Sequence, residues 1–97
     1  MKKLFLFFVT AKKEKTFKNY DINFYSGDTI YTFSDGFEDQ FGGPKGKKFM
    51  KKRFREAIID MQHLNMKEQN KHLRNIFHNW KGDLEQVDDI LVIGIRL

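Results

Sequence analysis

Two mirrored patterns, far apart in the chain, restrict its fold more than any other feature. The first, Gly27 to Gly43, reads GDTIYTFSDGFEDQFGG. After the polar turn Ser26-Gly27-Asp28 comes Thr29-Ile30-Tyr31-Thr32-Phe33. Every one of these five is β-branched or aromatic, which predicts a buried strand. The strand stops at Ser34-Asp35-Gly36. Glycine lets the backbone bend tightly there and leaves the Asp35 carboxylate at the rim of the sheet. Glu38 and Asp39 follow before the Gly42-Gly43-Pro44 break. Carboxylates this close repel one another unless a positive charge sits among them, and a hard divalent cation is the natural candidate. A solvated turn with ordinary surface acids accounts for the same residue types.

The second pattern reverses the order. In Gln86-Val87-Asp88-Asp89-Ile90-Leu91-Val92-Ile93-Gly94-Ile95 the acids come first and the apolar strand follows. If the two strands pair antiparallel, the end of one lies beside the start of the other. Asp35 and Asp88 then share one edge of one sheet, and two acidic clusters brought together hold a metal better than either alone.

On FSDGFEDQFGGPKGKKF and the closing WKGDLEQVDDILVIGIRL, the chain resembles the C-terminal part of SpoIIE-type bacterial serine/threonine phosphatases, members of the metal-dependent PPM class. The resemblance covers about Lys15 to Leu97. It implies an α+β fold: an antiparallel sheet with two helices on one face, about half of a PPM-type α-β-β-α sandwich. It also implies Mn²⁺ or Mg²⁺ as cofactor, two ions in the intact enzyme, activating a water for attack on phosphoserine or phosphothreonine. The Asp of the SDG motif and the first Asp of the closing pair are metal ligands in the family; here they are Asp35 and Asp88, with Gly36 as the backbone turn. Asp39 stands where some members hold an extra, weaker metal. Asp89 is expected to hydrogen-bond the nearby turn rather than bind metal. The implied substrate is a phosphorylated regulatory protein of the anti-sigma-factor-antagonist type.

The family's first-half motif, of the GDxxGHG kind, has no counterpart here, and Met1 to Ala11 do not resemble the family. The expectation is a C-terminal portion that lacks its N-terminal catalytic half, is inactive alone, and self-associates through an uncovered sheet face. A non-functional remnant is the other outcome of such a loss.

The 97 residues allow one small domain, with eleven Phe to build its core. The absence of cysteine excludes disulfides and thiolate metal sites and fits a reducing cytoplasm. Leu4 to Val9 is apolar but far shorter than the roughly 20 residues of a membrane span, so a strand is expected. Tyr20 to Tyr25 alternates weakly and predicts a strand paired as a hairpin with Thr29 to Phe33. Met50, Phe54, Ala57, Ile58 and Met61 follow helical period. Asn65 and Glu68 form a capping pair for a second helix with Leu73, Ile76, Phe77 and Trp80 as its stripe, stopped at Gly82. His63, His72 and His78 lack ligand spacing and read as helix-surface residues.

The net charge of +5 is concentrated. Gly43 to Arg55 carries Lys45, Lys47, Lys48, Lys51, Lys52, Arg53 and Arg55 and no acid. A solvated face, an acidic or phosphorylated partner, or nucleic acid each accounts for such a run. A nucleotide-binding loop is excluded because no GxxxxGK[ST] pattern is present. A small basic binding module without catalysis is thus the rival reading, with Lys45, Lys47, Lys48, Lys51, Lys52 and Arg53 as its contact residues.

Overall fold

The computed structural model describes residues 3–9 and 22–97. Its elements are β1 (Leu4–Val9), β2 (Thr29–Ser34), β3 (Phe41–Gly42), β4 (Lys47–Lys48), α1 (Met50–Asp60), α2 (Met66–Lys81) and β5 (Val92–Arg96). One sheet has the order β1-β2-β5, and β3 and β4 form a separate two-stranded ribbon. The architecture is α+β, as expected, and β2 pairs antiparallel with β5. The departure from an antiparallel sheet is β1, which runs parallel to β2.

That pairing displaces the expected hairpin. Residues 22–25 form no strand, and Tyr20 lies outside the described residues. Ile22, Phe24 and Tyr25 are exposed, whereas Leu4 and Leu6 of β1 pack against the core. Leu4 and Leu6 thus bury apolar surface that the weakly alternating segment leaves in solvent. Asp28 fixes the arrangement. Its carboxylate accepts the Lys3 and Tyr25 N–H groups, each at 2.9 Å, tying the start of β1 to the turn before β2. Those two amides hold its pKa below the ordinary 3.8.

Pleating sorts β2 cleanly. Tyr31 and Phe33 point into the core with Phe54, Ala57 and Ile58 of α1 and Leu73 and Phe77 of α2. The Tyr31 hydroxyl donates to Gln69 Oε1, and Gln69 Nε2 donates to the Met61 and Leu64 carbonyls at 3.1 Å. This buried polar knot locks the α1–α2 turn under the sheet. Asn65 caps α2 as the spacing predicts, its Oδ1 accepting Glu68 N–H at 2.8 Å. Met50 departs from the expected apolar face: it is 55% exposed, and Phe49 is buried instead. Gly82 ends α2, donating to His78 at 3.0 Å.

Both helices lie on one side of the sheet. The register aligns Phe5, Ile30 and Ile95 in one row across the other face, and Phe7, Thr32 and Ile93 in the next. Ile93 and Ile95 are about half exposed. The Phe24 ring meets Phe5 edge-on at 4.9 Å and covers one corner. The rest of this apolar face is open among the described residues.

Candidate metal-binding site

The β2–β5 register carries the site. Phe33 faces Val92, so the end of β2 lies beside the start of β5. Ser34 clasps the two: its N–H donates to Leu91 O at 3.0 Å, and its Oγ accepts Leu91 N–H at 3.1 Å. Residues 35–39 then make a tight turn, with Asp39 N–H donating to Asp35 O at 3.0 Å. Phe37 anchors that turn by plugging its ring against Phe49, Phe54 and Phe77 at 5.0–5.2 Å. The anchor leaves Asp35 half-buried at the sheet edge.

Gly36 has a role beyond bending. A Cβ built there would stand 2.2 Å from Asp89 O. The SDG turn and the acidic linker are thus in direct backbone contact, and only glycine allows it. Asp88 is exposed and its Oδ1 accepts the Asp89 N–H at 2.8 Å, which turns the chain into β5. The Asp89 tie to the turn runs through its main-chain oxygen, which accepts Ser34 Oγ–H at 3.4 Å. The contacts between the SDG turn and the linker thus run through Gly36, Ser34 and the Asp89 main-chain oxygen.

Asp39 pairs with Lys48 at 3.8 Å. Glu38 is only 8% exposed. Burial raises its pKa, opposed by Lys51 and reinforced by the nearby Asp35 and Asp39 charges. The carboxylate oxygens suit Mn²⁺ or Mg²⁺ in type. Their number does not close a site: no cluster of three or more Asp, Glu, His or Cys able to hold a metal occurs among the described residues.

One positioning residue had no sequence signal. Gln40 is fully buried. Its Nε2 donates to Phe41 O at 3.0 Å and to Glu85 O at 2.8 Å, and its Oε1 accepts Val87 N–H at 3.4 Å. Its main-chain oxygen accepts Trp80 Nε1–H and Phe49 N–H, each at 2.9 Å. Gln40 therefore buckles the acidic turn to the linker bearing Asp88, and both to the end of α2. A glutamine in a loop reads as solvated; only the register of distant segments buries it.

The six cations from Lys45 to Arg53 named in the sequence are all exposed. His63 and His78 are exposed and His72 is half-buried, all on or beside the helices. No helix among the described residues is long and apolar enough to cross a membrane.

Comparison with known proteins places this geometry in context. The sequence matches the family described as stage II sporulation protein E (SpoIIE) over residues 6–97. The match begins nine residues before the resemblance legible at Lys15 and includes most of β1. Among solved structures, the SiaA-PP2C domain of Pseudomonas aeruginosa matches with a TM-score of 0.69 and 32% sequence identity, over 71% of this chain and 28% of that one. No curated protein matches.

Proposed function

The chain belongs to the SpoIIE family, and from that premise we propose that it supplies the Asp35–Asp88 side of a metal-dependent protein serine/threonine phosphatase. The observation that carries the reading is the β2–β5 pairing, which sets the SDG turn against the acidic linker with Gly36 on the Asp89 carbonyl. Asp35 and Asp88 are the proposed ligands, with Asp39, which pairs with Lys48, as a weaker one. The bound Mn²⁺ or Mg²⁺ would supply an acidified water for attack on phosphorus. The residues of this chain hold and orient: Ser34 and Gln40 fix the two acidic segments relative to each other, and Phe37 fixes the turn to the core.

We place the remaining ligands outside the chain. It spans 28% of the matched structure, and its own carboxylates do not close a site among the described residues. The open Phe5–Ile30–Ile95 face is the surface on which the rest of such a domain packs. Isolated, the same face drives self-association. The proposed substrate is a cytoplasmic phosphorylated regulatory protein of the anti-sigma-factor-antagonist type.

The experiment joins the chain, in cis or in trans, to the N-terminal portion of a family phosphatase domain and follows Mn²⁺-dependent phosphate release from a phosphoserine protein. Turnover is expected only in the joined form, and Asp35→Asn or Asp88→Asn abolishes it with the fold intact. Turnover that survives Asp35→Asn overturns the ligand assignment.

A further inference from the structure

We infer that the basic surface built by the β3–β4 ribbon and the first turns of α1 is a docking site for an acidic segment of a protein. That this protein is the phosphatase substrate rests on the reading above; the docking does not.

The surface is preassembled. In the ribbon Phe41 pairs with Lys48 and Gly42 with Lys47. Gly43 N–H donates to Trp80 O at 2.9 Å. A Cβ on Gly42 would stand 1.9 Å from that same oxygen, and one on Gly43 would meet the indole at 2.6 Å. The ribbon is therefore seated on the end of α2, and its lysines are presented from a fixed backbone, which lowers the entropic cost of binding. At the joint into α1, Met50 holds φ 76°, a left-handed conformation costly for a residue with a side chain. Such strain clusters where a segment is shaped for recognition.

The cations divide by role. Arg53 lies over the Trp80 ring at 4.8 Å and donates to Phe49 O at 3.1 Å, so it fastens α1 to α2. Lys48 pairs with Asp39 and lies 5.8 Å from the Phe41 centroid. Lys45, Lys47 and Lys52 are exposed and have no ion-pair partner among the described residues. Lys51 and Arg55 are exposed in the same stretch, and no acid occurs between residues 40 and 55. The like charge of Lys45, Lys47 and Lys52 repels itself and draws an anionic partner.

The borders favour a short acidic polypeptide over nucleic acid. Met50 N–H donates to Glu38 O at 2.8 Å, so the basic surface abuts the acidic turn directly. On another side, the Gln40 bond to Glu85 brings the linker with Asp83, Glu85, Asp88 and Asp89 close to the ribbon. A long polyanion would cross these acids; a short segment stays between them. Single-stranded nucleic acid binding also relies on free aromatic faces for stacking. Here the Trp80 ring is taken by Arg53, Gly43 and Phe49.

The test uses the 97-residue chain without metal, so its result is separate from that of the phosphatase reading. Fluorescence anisotropy follows binding of a short glutamate-rich peptide carrying one phosphoserine, and of an oligothymidylate of equal net charge. We expect the peptide to bind more tightly. The Lys45→Gln/Lys47→Gln/Lys52→Gln variant should weaken peptide binding by about tenfold, from three exposed charge pairs each worth a few-fold. Lys67→Gln/Lys71→Gln/Arg74→Gln on α2 removes the same charge and should leave binding nearly unchanged. Circular dichroism confirms that both variants fold. Equal loss in the two variants, tighter binding of the oligothymidylate, or no peptide binding at low salt each overturns the inference.

Discussion

Replacing Gly36 by alanine probes the join between the two acidic segments. The added Cβ would lie 2.2 Å from Asp89 O, against an ordinary C···O separation of about 3.3 Å. One backbone must therefore yield by roughly 1 Å. Neither can do so freely. Ser34 holds Leu91 through both its main chain and its hydroxyl, and Phe37 is wedged among three rings. Forced overpacking of this kind costs about 1–3 kcal/mol. For a chain of this size that lowers Tm by roughly 5–20 °C in a thermal melt. In the joined domain, a misplacement of about 1 Å between Asp35 and Asp88 should reduce turnover by about 100-fold. Gly46→Ala is the control: its Cβ meets nothing within 4 Å, although its φ is +60°. It should lose about 1–2 kcal/mol to backbone strain and keep its turnover. A Gly36→Ala protein that melts with the wild type and retains full turnover would refute the backbone-contact argument.

Three other perturbations test separate parts of the structure. Gln40→Leu leaves Glu85 O and Val87 N–H without their buried partner; it should cost about 1–3 kcal/mol in urea unfolding and speed hydrogen exchange at the Val87 amide, and unchanged exchange would contradict the buckle. Asp28→Asn tests linkage: the Tyr25 and Lys3 amides depress the folded pKa of Asp28 below 3.8, so its stabilisation is present above that value and is lost as pH falls through the folded pKa. The variant should melt below the wild type at neutral pH, the gap closing in acid; a gap independent of pH would assign Asp28 a role other than its charge. Ile93→Lys/Ile95→Lys places cations on the open sheet face and should shift the isolated chain toward monomer in light scattering, whereas unchanged association would locate the contact elsewhere.

Much of this arrangement was legible in the residues. The β-branched and aromatic run of β2 and the apolar start of β5 announce their strands, and these pair antiparallel as their order suggests. Asn65, Glu68 and Gly82 marked the bounds of α2 because capping is local chemistry. What escaped was non-local. Parallel pairing of β1 with β2 depends on which distant segment buries more apolar surface, and the nearer Ile22 and Phe24 looked sufficient. Met50 fits helical period yet lies outside the core, because Phe49 fills its place one residue earlier. Gln40 looks like any loop glutamine until its partners 45 and 47 residues away are known. Gly36 was expected to serve a bend, and its contact with Asp89 is visible only once β5 is in register.

The central claim is that Asp35 and Asp88 act on one metal site. A double-mutant cycle on Mn²⁺ affinity in the joined domain, with Asp35→Asn, Asp88→Asn and the pair, tests it most directly. If both carboxylates serve one site, the first substitution removes most of the affinity and the second adds little, giving a coupling of about 1–3 kcal/mol, or roughly 5- to 150-fold. Losses that simply add, or no loss for either substitution, would place the two aspartates at independent positions and contradict the account.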